Sequence, residues 1–378
     1  MNIAYVTAYD ALDIQNWSGL AHMVAKSLQT NGNQLDYIGN LSVYASRSMR
    51  IKKRLYSLLN VGTYDLERHP VVAKQYAQQI QALLRPATDV IFSPGTIPIS
   101  LLEAKVPKAF YTDATFAAMV GFYPEFSGLS QASIAHGNYL ERMALESSQL
   151  AIYSSEWAAQ SAINTYHLSP DKVKVVSFGA NVEDNRTWSD IKRLVAARSK
   201  QECHLLFMGV DWHRKGGETA LAVAAALNRM GLKTTLHVAG LQRLPFEHVP
   251  DFVVNHGFIS KTTLAGRNKI DKLFSESHFL LLPTLADCTP VVFSEANAFG
   301  VPCVSTNVGG IATVIRDDVN GKTFSRSASP SSYAAYIHSI FVNTRTYEAL
   351  ALSSFNEYDS RLNWNVAGKL LSKLLKDL

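Results

Sequence analysis

Two carboxylates, Asp287 and Glu295, stand with seven residues between them in the segment PTLADCTPVVFSEANAFGVPCVSTNVGG. A charge-free run, HFLLLP at 278–283, precedes them and reads as a buried strand. Asp287 falls in the loop that follows. A helix comes next: Thr289 is placed to cap it, Pro290 suits its first position, and Gly300 sits where a left-handed stop belongs. VPCVST then leads to the pair Gly309-Gly310. The order is strand, acid loop, helix, strand, glycine turn. It brings two acids to the C-terminal edge of a parallel sheet, where open α/β sheets bind ligands. A second cluster, Asp211-Trp212-His213-Arg214-Lys215-Gly216-Gly217, lies between the strand HLLFMGV and a long helix. Adjacent cations offset the charge of a diphosphate, and glycines let backbone N–H groups approach it.

The acid-x7-Glu spacing, with a small-residue helix, a Gly-x-Pro turn and a Gly-Gly turn behind it, resembles the retaining glycosyltransferases of family 4. Those are GT-B enzymes that use nucleoside-diphosphate sugars. The resemblance implies an α/β fold of two Rossmann-like parallel-sheet domains with a cleft between them and a C-terminal helix crossing back. It implies transfer of a sugar to an unidentified acceptor, lipid-linked or saccharide, with retention of configuration. The nucleotide-sugar is then a substrate and no cofactor is expected.

By the same resemblance Asp287 and Asp113 lie by the donor sugar, and Glu295 binds the ribose hydroxyls. Gly209, Lys215 and the Gly309-Gly310 turn serve the diphosphate, and Phe258 lies near the base. Gly19 is the first-turn glycine that lets the backbone approach the donor; the other reading is a glycine needed for a tight turn. Asp113 equally reads as a helix cap. The chain departs from the family pattern at several places. Val210 stands where an Arg is usual, with Arg214 as the shifted candidate. Asp287 replaces a Glu, and Thr313 stands where a Glu follows the Gly-Gly turn. Cys288-Thr289-Pro290 replaces Gly-Phe-Gly, and Pro290 offers no N–H. Sugar contacts then fall to Cys288, Thr289 and the N–H groups just beyond the proline, beginning at Val291. These departures motivate a second reading, a non-catalytic nucleotide-sugar-binding or scaffold protein. A third is a nucleotide-sugar epimerase of the same architecture.

The 378 residues suggest two domains, and the 47% apolar and 18% charged content fits a globular chain with a sizeable core. The elements read as strand and helix in alternation, twice over, with first strands at NIAYVT and HLLFMGV. The domains are read as 1–183, acceptor side, and 184–359, nucleotide-sugar side, with a linker near 181–185. Segment 360–378 packs back on the first domain through Trp364, Val366, Leu370, Leu371 and Leu374. The full GxGxxG fingerprint is absent, so a dinucleotide site is not supported. No Asp-x-Asp, HxH or HExxH spacing occurs, so no metal site is expected. Three separated cysteines, Cys203, Cys288 and Cys303, make no framework and point to a reducing cytoplasm; Cys203 and Cys303 read as core residues. No signal peptide or membrane span is read. A net charge of +5 and the lack of any RNA or DNA module exclude nucleic acid as the expected partner.

Residues 45–59, ASRSMRIKKRLYSLL, carry five basic residues and no acid. As a helix they place Ile51, Leu55, Leu58 and Leu59 on one stripe. Two readings stay open. The stripe packs into the core and the basic face is solvated, or the segment meets an anionic surface, membrane lipid or a phosphorylated acceptor. The second places the protein peripherally on the inner face of a membrane.

Overall fold

Parallel strands covered on both faces need continuous apolar runs rather than alternation. The runs VIFS, LAIY, FLLL and CVST are buried at every position. The structure is a computed structural model that describes residues 1–182 and 186–378. Its elements are β1 (Asn2–Val6), α1 (Leu20–Thr30), β2 (Gln34–Ile38), α2 (Arg47–Leu58), α3 (Pro70–Leu83), β3 (Val90–Ser93), β4 (Lys108–Thr112), α4 (Phe116–Met119), α5 (Gln131–Ser147), β5 (Leu150–Tyr153), α6 (Glu156–Tyr166) and β6 (Val173–Val175). There follow α7 (Trp188–Ala197), β7 (Cys203–Met208), α8 (Gly217–Arg229), β8 (Thr234–Ala239), β9 (Val253–Asn255), α9 (Leu264–Glu276), β10 (Phe279–Leu282), α10 (Val291–Asn297), β11 (Cys303–Thr306), α11 (Ile311–Val314), β12 (Gly321–Phe324), α12 (Pro330–Phe341), α13 (Thr344–Arg361) and α14 (Trp364–Lys376).

One unit comprises Met1–Ser177 with Trp364–Leu378, the other Phe178–Asn363. The division falls earlier than 183, because the Phe178 carbonyl already accepts from Ser294. Residues 183–185 of the expected linker lie outside the described residues. Shortly after them comes α7, whose Ile191 and Val195 enter the second unit's core.

The first unit's sheet has the order β2-β1-β3-β4-β5-β6 and the second β12-β11-β10-β7-β8-β9. All named pairings are parallel. The strand order reverses between β1 and β3 in one and between β7 and β10 in the other. A crevice opens beyond the strand ends at such a reversal, because the flanking loops leave to opposite faces.

In the first unit α14 lies on α1. Gly368 makes this possible: a Cβ there would lie 2.6 Å from the Ser27 carbonyl oxygen. The Asn33 side chain donates to Ser372 Oγ at 2.8 Å. Contact through these small residues rotates the helix away from the expected stripe. Trp364, Ala367, Leu371 and Leu375 are buried, whereas Leu370 is exposed. α2 departs further. Met49 is its buried residue, and Ile51, Leu55, Leu58 and Leu59 are 58%, 49%, 81% and 67% exposed. The core-packed reading of 45–59 is therefore overturned. Among the described residues no helix is long and apolar enough to cross a membrane.

In the second unit a buried guanidinium gathers helix ends. Arg198 donates to the carbonyls of Ser275, Phe299 and Gly300 at 3.1, 2.7 and 2.7 Å, and to Tyr347 Oη at 2.7 Å. A cation at the C-terminal ends of α9 and α10 answers their exposed carbonyls. Cys203 and Cys303 are fully buried core residues, as their surroundings in the sequence imply.

His278, also fully buried, accepts from the His204 N–H at 2.9 Å through Nδ1 and meets the Ser199 carbonyl at 2.7 Å through Nε2. Both nitrogens are used by the neutral ring, so no place remains for a second proton. Burial holds its pKa down to about 3. An unfolded histidine titrates near 6.5. Between those values the unfolded chain binds more protons, so stability is full above pH 6.5 and falls as pH drops toward 3. Urea denaturation from pH 7 to 4.5 is expected to show this, with His278 contributing up to ~1.4 kcal/mol per pH unit. His278→Asn should make the slope shallower by about one proton; an unchanged slope would assign the acid loss elsewhere.

Candidate functional site

β7 ends at Met208, and Gly209 follows because the space a Cβ would take belongs to Lys215: it would lie 2.9 Å from Lys215 Cγ. The loop turns at Gly216, with φ +79°, to start α8. A Cβ on Gly216 would lie 1.9 Å from the Pro283 carbonyl oxygen, so no other residue fits without moving the chain. That approach joins the loops after β7 and β10 across the reversal in strand order. The Leu285 N–H and the Thr284 hydroxyl both donate to the Arg214 carbonyl, at 2.8 and 2.9 Å.

The two cations then converge on one acid. Lys215 Nζ lies 2.6 Å from Asp287 Oδ2, and Arg214 Nη1 lies 3.5 Å from Asp287 Oδ1 while donating to the Ala286 carbonyl at 3.0 Å. Asp211 holds the Arg214 N–H at 3.0 Å. The Asp287 and Lys215 side chains are about 10% and 12% exposed, which shields their charges from solvent. Val210 is 67% exposed and makes no part of this cluster.

The helix behind Asp287 begins one residue later than the sequence implies. Pro290 is the N-cap of α10, not its first residue, and no side chain caps it. Cys288 and Thr289 are buried and Val291 is half-buried. Gly309 is left-handed at φ +54° and Gly310 caps α11. The Gly310 N–H is already engaged, donating to the Cys288 carbonyl at 2.7 Å. It fastens the turn after β11 to the acid loop.

Glu295 is fully buried. Its Oε1 pairs with Lys261 Nζ, and its Oε2 has no hydrogen-bond partner among the described residues. Lys261 escaped sequence reading. It is a lone cation in a polar loop, 34 positions from its partner, with no pattern to single it out. Phe258, 61% exposed, stands on the same loop.

Gly19 and Asp113 belong to the first unit. Gly19 is the left-handed N-cap of α1, preceded by Trp17 and Ser18 at φ +46° and +55°. Asp113 follows the end of β4 and is half-buried. The cap of α4 is Thr115, whose hydroxyl accepts from the Ala118 N–H, so the capping reading of Asp113 does not hold. Its charge adds to burial in pushing the Tyr9 hydroxyl up to about 12. Among the described residues no three or more His, Cys, Asp or Glu side chains are grouped to hold a metal ion.

The chain is similar to known glycosyltransferases. Residues 190–353 match the family model Glycosyl transferases group 1. The chain spans about half the length of the first curated relatives it matches. One is an uncharacterized glycosyltransferase of Methanocaldococcus jannaschii, 24% identical over 48% of each chain. A longer match, 25% identical, covers 79% of this chain and 83% of the lipopolysaccharide glucosyltransferase WaaG of Escherichia coli K12. The solved WaaG structure superposes with a TM-score of 0.63 at 16% identity over 99% of both chains. The Anabaena protein Alr3699/HepE, solved with UDP and glucose, gives 0.63 at 16% identity over 100% of both. The fold is GT-B, with two Rossmann-like α/β units.

The Gly216 approach has a measurable consequence. Gly231 is also left-handed, at φ +85°, but a Cβ there meets nothing within 4 Å. Gly216→Ala is expected to lose more than ~1 kcal/mol and clearly more than Gly231→Ala, measured by urea denaturation. Equal losses would show that backbone conformation, not the Pro283 carbonyl, sets the requirement.

Proposed function

We propose that the protein is a retaining glycosyltransferase that moves a sugar from a nucleoside-diphosphate sugar to an acceptor hydroxyl without a metal ion. The observation that carries this reading is the convergence of Lys215 and Arg214 on Asp287 where the strand order reverses. Support comes from the group 1 match, whose span includes this cluster, and from the likeness to a structure solved with UDP and glucose.

In this reading Lys215 meets the diphosphate, and Arg214 supplies the cation missing at Val210. Glu295 Oε2 accepts from a ribose hydroxyl, and Phe258 borders the base. Gly209 keeps the Lys215 stem in place, while Gly309-Gly310 and Gly19 shape the turns around the donor. Cys288, Thr289 and the Val291 N–H line the sugar. As the bond between the anomeric carbon and the diphosphate breaks, the acceptor oxygen bonds that carbon, its proton passes to the departing diphosphate, and negative charge grows on the leaving oxygen. Fixed cations stabilise it without rearranging. Asp287 and Asp113 support the positive charge left on the sugar. The first unit takes the acceptor.

The exposed face of α2 serves, in the same proposal, to hold the protein at an anionic lipid surface on the cytoplasmic side. Arg47, Arg50, Lys52, Lys53 and Arg54 surround a stripe that solvent, not protein, covers. No acid lies between Asp36 and Asp65 to offset them. Buried apolar residues with flanking cations are what an interfacial helix requires, and each cation near an anionic leaflet adds about 1 kcal/mol.

Calorimetric titration with UDP and with uridine tests the donor site. Lys215→Ala should weaken UDP by about tenfold or more and spare uridine; Glu295→Ala should weaken both. Turnover, read as UDP release from UDP-sugars, should persist in excess EDTA. Equal, small losses for both variants on both ligands would sink the assignment.

Sedimentation with vesicles tests α2. Binding is expected with phosphatidylglycerol vesicles, should fade with salt, and should be lost when Arg50, Lys53 and Arg54 are replaced by Ser. Protein that stays in the supernatant at low salt overturns the lipid assignment, and capture of a phosphorylated saccharide instead would give this face to the acceptor.

A further inference from the structure

His204, His237 and His256 lie on one face of the second unit's sheet. The register sets His204 of β7 beside Thr235, and His237 of β8 beside Leu206 and Val254. The three rings form a row that crosses the sheet diagonally, from the start of β7 to the residue just after β9. His204 Nδ1 lies 3.0 Å from His237 Nε2, and His237 Nδ1 lies 3.0 Å from His256 Nε2. The ring centroids are 5.2 and 5.3 Å apart, and all three residues are half-buried. A neutral imidazole has one donor and one acceptor nitrogen. His237 uses both on its neighbours, so the tautomers of the three rings are set together. The protons such a row can hold are limited. Each hydrogen-bonded pair of nitrogens takes one proton, so the six nitrogens hold four with both bonds intact, one more than three neutral rings carry. A second added proton sets two N–H groups against each other and breaks the row.

We propose that this row is an acid-sensitive tie: it accepts one proton and stays joined, and a second proton frees the edge strand β9 together with the loop that follows it. β9 has three residues and ends the sheet beside β8. The His256 N–H donates to the Val238 carbonyl and the Leu236 N–H to the Phe252 carbonyl, both at 2.8 Å. The Gly257 carbonyl, next in the chain, accepts from the Gly240 N–H at 2.9 Å. Beyond it come Phe258 and Lys261, the partner of Glu295. Charges around the row place the first proton. Glu202, before β7, favours a proton on the row and is itself held by Lys233 at 2.9 Å. At the other end α9 brings Lys269, which disfavours charge on His256, and Glu276, which favours it. Lys269 also donates to the His256 carbonyl at 3.0 Å. The first proton therefore sits toward Glu202. His278 stacks on His204 at 5.7 Å, but backbone groups engage both its nitrogens, so it is no part of the row. Burial, then His204 and His256, push His237 down to about 4, and burial with Lys269 lowers His256. An unfolded histidine titrates near 6.5, so the tie is complete above that pH and is lost as pH falls toward 4.

The tie needs no ligand; its effect on a nucleoside rests on the donor-site reading, which puts Phe258 and Glu295 there. Proton–nitrogen NMR of the imidazole rings in the full chain, from pH 8 to 4.5, tests the row. One protonation step shared by His204, His237 and His256 is expected, with the three partial charges adding to a single proton. Hydrogen exchange, corrected for the intrinsic rate, should show the amides of Leu236, Gly240 and His256 losing about tenfold or more in protection between pH 7 and 4.5. The Leu280 amide, bonded to the Pro302 carbonyl inside the sheet, is the control for global unfolding. His256→Gln keeps a hydrogen-bonding side chain that takes no proton, and its β9 protection should hold across the same range. His237→Gln should abolish the shared step; if it does not fold, His256→Gln decides alone. Three independent titrations, β9 protection that merely follows Leu280, or an unchanged loss in His256→Gln overturns the proposal. Uridine affinity, measured by calorimetry, should fall over the same range in the wild type and hold in His256→Gln. A flat uridine affinity while β9 opens overturns the coupling to the loop. Uridine that binds at no pH removes the donor-site reading and leaves the tie to stand on the exchange data.

Discussion

The second unit's candidate site depends on one close approach. The backbone at Gly216 passes so near the Pro283 carbonyl that no side chain fits between them. The loops after β7 and β10 are thereby fixed against each other across the gap left by the reversal in strand order. Arg214 and Lys215 leave one loop and Asp287 the other, and their charges meet. The Arg214 carbonyl repeats the fastening by accepting from both Thr284 and Leu285. Arg198 holds the ends of α9 and α10 from behind with hydrogen bonds to carbonyls. Chemistry at the front thus rests on hydrogen bonds and packing that carry no chemistry themselves.

Charge in this unit is arranged with little solvent to weaken it. Asp287 keeps two cations in place. Such a group is preorganised: its charges are gathered before any ligand charge has to be met. Glu295 shows the complementary device. Lys261 answers one carboxylate oxygen and the other is left open in a buried position. In the first unit the buried Glu141 is answered by the Thr96 hydroxyl.

Two amphipathic helices meet opposite fates. α14 and α2 both have apolar residues at helical spacing. α14 has Ala367, Gly368 and Ser372 within its stripe, and these let it settle onto α1 until backbone touches backbone. α2 has long residues on its stripe and cations beside it, and just Met49 reaches the core. Helical spacing states which residues share a face; small residues decide whether another helix can cover it.

The sequence by itself determined the class of fold, because buried parallel strands require unbroken apolar runs and their helices require caps and glycine stops. The strands of both sheets up to β11 were legible for that reason. So was the position of Asp287, Arg214 and Lys215 just beyond strand ends, since their spacing from neighbouring glycines and strands is local. β12, α13 and α7 were not legible, since short or polar elements acquire their burial from neighbours distant in sequence. The start of α10 at Val291 also lay beyond the sequence, because the chain's approach to the helix settles whether a proline is its first residue or its cap. Only the tertiary structure decided that Lys261 pairs with Glu295, that the Gly310 amide is already used, that the α2 stripe faces solvent, and that His204, His237 and His256 meet in one row. Each of these joins residues far apart in the chain or fixes which surface is covered. Distance along a sequence carries no information about such contacts until the sheet has brought its strand ends together.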